Sequence, residues 1–124
     1  MTRSSPDAPV TANCDGTIVR RVVENIVNNA IKHTPRGGRI RIAVVPETSH
    51  VRIAIGDEGP GVPLEARERI FEKFGTVANR KSETYHSSGL GLAFCKLAVE
   101  AHGGTIGVED GKPGGSLFWF NLPR

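Results

Sequence analysis

The chain has 124 residues, 38% of them hydrophobic, with 16 basic and 13 acidic side chains and a net charge of +3. That length makes one domain, large enough to bury a core without covalent staples. No apolar run approaches the roughly 18 residues of a membrane-crossing helix, the polar stretch from Met1 to Pro9 lacks the apolar segment of a signal peptide, and the basic residues are scattered without the interleaved aromatics of a nucleic-acid surface.

Residues 1–7 read as a flexible N-terminal segment and residues 8–124 as a single folded domain. Val10 to Asn13 suits a short edge strand, Asp15-Gly16 a turn, and Thr17 the N-cap of a helix. From Thr17 to Thr34 apolar residues recur at positions 18, 19, 22, 23, 26, 27, 30 and 31, the doubled four-residue repeat of a buried helix stripe. At about 100° per residue, Asn25, Asn29, Lys32 and His33 fall within roughly one quadrant beside that stripe. Arg20, Arg21, Glu24 and Asn28 fall on the far side, facing solvent. Two asparagines one turn apart are poor helix formers, so the edge reads either as a place that holds something polar or as an ordinary boundary between core and water.

Pro35-Arg36-Gly37-Gly38 stops this helix. Arg39 to Val45 and Val51 to Gly56 follow as strands of period two, with Arg39, Arg41 and Arg52 on the wet face. Asp57 continues the period of Val51, Ile53 and Ile55, which points its carboxylate to the core side, where it needs a donor. Such an Asp either receives a ligand donor or caps its own Gly-Pro-Gly turn. Residues 64–71 predict a short helix after Pro63, and the polar stretch from Gly75 to Ser88 a long mobile loop. Gly89 to Ala101 predicts a helix with Leu90, Phe94, Leu97 and Ala101 on its inner face, stopped by Gly103-Gly104. Thr105 to Glu109 and Ser116 to Leu122 predict a closing hairpin, with Phe118, Phe120 and Leu122 inward. Cys14 and Cys95 show no metal-ligand or disulfide spacing and read as free thiols of a reducing compartment, Cys95 as a small buried hydrophobe.

The Asn-rich helix, Asp57-Glu58-Gly59-Pro60-Gly61, Phe71-Glu72-Lys73-Phe74 and Gly89-Leu90-Gly91-Leu92 resemble, in order and spacing, the N, G1, F and G2 boxes of the ATP-binding catalytic domain of sensor histidine kinases. Gly114-Gly115-Ser116 stands where a final glycine box would. The resemblance covers about residues 8 to 124 and extends to the ATPase family shared with gyrase B, Hsp90 and MutL. It implies an α+β fold, a two-layer α/β sandwich in which helices cover one face of a mixed, mostly antiparallel sheet (the Bergerat ATP-binding fold).

It also implies roles. Asp57 would accept from the adenine amino group, with Gly59 and Gly61 letting the backbone approach the ring. Asn29 would bind Mg²⁺ through its side-chain oxygen, Lys32 would neutralise phosphate charge, and His33 would stand in for the family's flat aromatic residue. Asn25 occupies the position of the catalytic glutamate in the gyrase, Hsp90 and MutL branch, which activates water. Asn25, Asn29 and Lys32 are thus the residues expected to act on phosphoryl transfer. Gly89, Leu90, Gly91 and Leu92, preceded by Ser88, open a helix whose first N–H groups form a phosphate cradle or else simply a hinge. Lys73, Arg80 and Lys81 would meet the γ-phosphate when the loop closes, or stay solvated; Val62, Ile70, Phe74 and Leu92 would wall the adenine, or simply pack the core. This chain departs from the family at Gly75-Thr76, where many members continue with an aromatic and an arginine, and at Ser87-Ser88, where a Gly-Thr is usual.

The implied ligands are ATP or ADP with Mg²⁺. The implied partners are a dimerising helical domain that carries the phosphoacceptor histidine, expected to lie outside this chain, and indirectly a response regulator. Nucleic acid and direct membrane contact are not expected, and the domain by itself is expected to be a monomer on the cytoplasmic side of its parent. A non-catalytic nucleotide-binding signalling module and an anti-sigma-type serine/threonine kinase share the fold and are the alternative readings.

Overall fold

A computed structural model of the chain describes residues 2–4, 14–72, 91–111 and 114–124. Its first helix, α1 (Gly16–His33), is capped by Asp15 and not by Thr17: the Asp15 carboxylate accepts from the Thr17 and Ile18 N–H groups at 3.0 and 3.2 Å. Asp15 stands in extended backbone just ahead of the helix, where a carboxylate reaches two orphan donors and meets the positive end of the dipole. The apolar stripe of α1 is narrower than its repeat suggests. Val22, Ile26 and Ala30, one turn apart, are buried, while Ile31 is 57% exposed because it lies beyond the strip the core covers. Arg20, Arg21, Glu24 and Asn28 face water as expected, with Arg20 and Glu24 a loose pair at 3.8 Å.

Five strands form one sheet in the order β1-β2-β3-β5-β4. β2 (Arg41–Pro46), β3 (His50–Gly56), β5 (Ser116–Pro123) and β4 (Thr105–Asp110) pair antiparallel, and β1 (Thr2–Ser4) adds to β2 in parallel. The sheet is thus mixed and mostly antiparallel, as expected, although β1 falls within the segment read as flexible; the strand expected at Val10 to Asn13 lies outside the described residues. β2 begins two residues later than its pattern suggests, because the Arg39 N–H is taken by Glu58 Oε1 at 3.1 Å instead of by a neighbouring strand.

Alternation sorts the two faces. Val51, Ile53 and Ile55 of β3 and Phe118, Phe120 and Leu122 of β5 enter the core, which the helices cover. On the opposite face Trp119 lies over Gly107, where a Cβ would stand 2.5 Å from its ring, and Arg52 sits 4.9 Å above that ring while pairing with Glu109 at 3.3 Å.

Between β3 and the second helix the expected helix at residues 64–71 is replaced by two 3-10 turns, Leu64–Ala66 and Arg69–Phe71. The Ala66 N–H bonds to the Pro63 carbonyl and the Arg67 N–H to the Leu64 carbonyl, each three residues back and not four, while the Arg67 side chain donates to the Val62 carbonyl. Ala66, Ile70 and Phe71 still reach the core, with the Phe71 ring edge-on to Phe118 at 6.2 Å between centroids.

α2 (Gly91–Ala101) turns a different face inward from the one expected. Leu92, Cys95, Ala98 and Val99 are buried, whereas Leu97 is 71% exposed and Ala101 is exposed. Apolar residues surround this helix almost completely, so its periodicity does not choose a face; wedging between α1 and the sheet does. The two helices run antiparallel, as three contacts record: Gly91 beside Asn25, the Cys95 Sγ donating to the Val22 carbonyl at 3.5 Å, and the Asp15 N–H donating to His102 Nε2 at 3.0 Å. His102 Nδ1 lies 2.7 Å from the Ala98 carbonyl, so the ring donates there and accepts from Asp15, tying the end of one helix to the start of the other.

Replacing Asp15 with Ala should lower stability by about 0.5–2 kcal/mol in urea denaturation, the usual cost of a lost N-cap; an unchanged midpoint would remove Asp15 from that role. Burial pushes the Cys95 thiol up to about 12, while Cys14 is exposed. A thiol reagent at neutral pH should therefore titrate Cys14 quickly and Cys95 only after denaturation, and two fast thiols in the native protein would contradict this packing.

Candidate nucleotide-binding site

The site is built where the C-terminal half of α1 meets the turn that leaves β3. Asp57 is 5% exposed, so its carboxylate has lost most of its water and needs donors from the protein. One oxygen, Oδ1, accepts from the Gly59 N–H at 2.9 Å and from the Ser116 N–H at 3.2 Å. The Asp57 N–H in turn donates to the Ser116 carbonyl at 2.9 Å. Asp57 therefore caps its own turn, as one of its two readings expects, and it is also clamped to the start of β5. Burial raises its pKa above the usual carboxylate value of 3.8, against the lowering influence of the Gly59 and Ser116 N–H groups and of the nearby His33.

Two glycines make the clamp sterically possible. Gly115 has φ +79°, and a Cβ there would collide with the Asp57 carbonyl. Gly59 packs against the end of α1, where a Cβ would lie 2.7 Å from the His33 carbonyl oxygen and 3.1 Å from Asp57 Oδ1. The turn thus brings the Asp57 carboxylate to the last turn of α1. Glu58 reaches back to the Arg39 N–H and leaves the site, acting as a strut for the segment after the helix.

On α1 the four residues expected on one edge are ranked by depth. Asn29 is 7% exposed, Asn25 and His33 are half-buried, and Lys32 is exposed. Gly91, the first residue of α2, lies against Asn25, with its Cβ position 3.4 Å from Asn25 Oδ1. The Asn edge, the Asp57 turn and the start of the second glycine helix are therefore gathered around one end of the helix layer. Gly61 (φ +81°) faces the Gly115 carbonyl from the far side of the turn. Val62, Ile70 and Leu92 are buried members of the central hydrophobic cluster, so packing accounts for them, and any surface they offer a ligand is a wall of that core. Lys73, Phe74, Arg80, Lys81, Ser88, Gly89 and Leu90, with the expected loop from Gly75 to Ser88, lie outside the described residues.

Two contributors escaped the sequence reading. The Gly115–Ser116 backbone supplies a donor and an acceptor to Asp57, although a final glycine box was legible there. Arg67, which holds the Val62 carbonyl at 3.1 Å and Asp110 at 2.6 Å, carried no signal, because its ionic partner is 43 residues away.

As for metals, no group of three or more His, Cys, Asp or Glu is placed to hold one among the described residues. The buried Asn29 carboxamide is a neutral oxygen donor, the type that completes the shell of a hard cation whose other oxygens come from a ligand or water.

A family model, that of the histidine kinase-, DNA gyrase B-, and HSP90-like ATPases, matches residues 14–124. Over 121 residues the chain is 37% identical to the sensor protein KdpD of Clostridium acetobutylicum, covering 98% of this chain and 13% of that protein. Over 124 residues it is 36% identical to the adaptive-response sensory kinase SasA of Rippkaea orientalis, covering 99% of this chain and 31% of that one. It superposes on the crystal structure of full-length ShkA in complex with AMPPNP with a TM-score of 0.82 and 31% identity, covering 98% of this chain and 25% of ShkA. The chain thus spans less than a third of the length of these relatives, and over that span it belongs to the histidine kinase-, DNA gyrase B-, and HSP90-like ATPase family.

Proposed function

We propose that this chain is the ATP-binding catalytic domain of a two-component sensor histidine kinase, which passes the γ-phosphoryl group of ATP to a histidine on a separate dimerisation domain. The observation that carries the reading is the pair on α1: a buried Asn29 one turn from an Asn25 that sits against Gly91. In the branch of the family that hydrolyses ATP, the position of Asn25 is a carboxylate able to take a proton from water. An amide has no such basicity, so water beside it stays unactivated and the phosphoryl group is left for another acceptor. The names of the relatives and the AMPPNP bound by ShkA support the same reading.

In this reading the residues act by positioning and charge neutralisation. Asp57 accepts from the adenine amino group with the carboxylate oxygen not occupied by Gly59 and Ser116, while Gly59 and Gly61 keep side chains away from the ring. Asn29 would hold Mg²⁺ through its side-chain oxygen, and the ion when bound would neutralise charge on the triphosphate. Lys32, exposed at the rim, adds a positive charge to the phosphate end, and His33, half-buried, offers a flat group near the nucleotide. The start of α2 turns backbone N–H groups and the helix dipole toward the phosphates. The acceptor domain and, through it, a response regulator are the partners, on the cytoplasmic side of the parent protein.

Asp57→Asn separates binding from folding. The folded carboxyl holds its proton more tightly than the unfolded one, so its contribution to stability declines as pH rises from the ordinary value of 3.8 through the raised one. Asn keeps an oxygen for Gly59 and Ser116 and never ionises. Without nucleotide the variant should melt at or above the wild-type temperature at about pH 7, with the difference narrowing toward about pH 4. Calorimetric titration should show its ATP affinity reduced at least about tenfold, because an amide N–H then faces the adenine amino group. Equal ATP affinity in the two proteins would remove Asp57 from the adenine site.

The phosphoryl-transfer reading is tested by mixing the chain with a separately prepared dimerisation domain of a related sensor kinase and γ-labelled ATP. Acid-labile label should appear on that domain's histidine, slow hydrolysis should be seen without it, and Asn29→Asp should lose both Mg²⁺-dependent nucleotide binding and transfer. Rapid ATP hydrolysis without an acceptor, or acid-stable label on serine or threonine, would count against a histidine kinase.

A further inference from the structure

Two segments flank the turn that carries Asp57: Gly59 to Leu64, and the β4–β5 hairpin that includes Gly111, Gly114 and Gly115. Between them lies a hollow of about 690 Å³ lined by residues of both, among them Gly61, Val62, Arg67, Asp110 and Gly115. Arg67 lines this hollow and joins its two walls. Its Nε–H donates to the Val62 carbonyl at 3.1 Å and its Nη2 to Asp110 Oδ1 at 2.6 Å, with the side chain 21% exposed.

A planar guanidinium presents donors in a fixed fork, so holding both acceptors at once sets the spacing of the segments that carry them. Val62 follows Gly61, and Asp110 pairs with Ser116, whose N–H holds Asp57, so both acceptors are one covalent or pairing step from the groups around the adenine-binding carboxylate. We propose that Arg67 is a positioning residue for the nucleotide, bracing the turn that carries Asp57 and Gly61 against the β4–β5 hairpin. This rests on the reading of Asp57 as the adenine acceptor. Because Asp110 is 85% exposed, the ion pair adds little to global stability, and its effect falls on the geometry of the turn.

The test is ATP·Mg²⁺ titration of the wild type, Arg67→Ala, Arg67→Gln, Asp110→Ala and the Arg67→Ala/Asp110→Ala double variant, with melting temperature and backbone amide NMR spectra recorded on each. Both Arg67 variants should weaken ATP binding roughly tenfold, the usual size for loss of a charge-assisted hydrogen bond. Their melting temperatures should stay close to that of the wild type, amide shifts should move at Gly61, Gly115 and Ser116 and not at core residues such as Ile26, and the double variant should be no worse than Arg67→Ala. Wild-type ATP affinity in both Arg67 variants overturns the proposal while leaving the nucleotide site standing. So does a loss of affinity that accompanies a general fall in melting temperature and shifts throughout the core, for then Arg67 merely stabilises the fold. If the wild type itself binds no ATP, the reading of the site fails and the proposal fails with it.

Discussion

A carboxylate withdrawn from water must find N–H groups, and Asp57 finds them on two segments that are remote in sequence. The Gly59 N–H comes from its own turn and the Ser116 N–H from the first residue of β5. The rest of the architecture around the site follows from that requirement. Gly115 has no side chain because one would strike the Asp57 carbonyl, and Gly59 has none because the end of α1 lies against it. The β3–β5 pairing runs on from Gly56↔Leu117 into the Asp57–Ser116 contact, so the sheet delivers the carboxylate and its donor together. Burial raises the pKa of the group and its donors lower it, with burial prevailing. A buried acceptor in this state is costly to the free protein and suited to a ligand that brings its own donor.

The second constraint is the seam between the helices. α1 and α2 run antiparallel and close enough for Cys95 to reach the Val22 carbonyl and for Gly91 to touch Asn25. This brings Gly91, at the start of α2, to the polar edge of α1. Asn25 therefore lies beside Gly91 of α2, while the Asp57 turn packs against the end of α1 at His33. In the proposed reading the neutral amide at Asn25 supplies no base to water, which leaves the phosphoryl group for another acceptor.

Some of this was legible before any fold was known. The repeat of α1, the period-two strands, the inward Phe118, Phe120 and Leu122, the buried Cys95 and the placement of Asp57 on the core side all depend on which local positions are apolar, and the periods of helix and strand translate that directly into faces. The four ordered motifs identified the family for the same reason, since each is a short run of residues in fixed order.

What local pattern cannot carry was decided by tertiary structure. α2 is apolar on nearly every side, so only its position between α1 and the sheet selected Leu92, Cys95 and Val99 and left Leu97 in water. The cap moved from Thr17 to Asp15 because the backbone of Asp15 is the one that stands extended at the helix start. The segment after Pro63 formed two tight turns whose N–H groups donate three residues back and not four. Arg67 itself could not be singled out from the sequence, nor could the Ser116 N–H on Asp57, since their partners lie 43 and 59 residues away. Periodicity records how a segment meets the core. It does not record which distant segment meets it there, because that depends on chain paths brought together only when the sheet and helices pack.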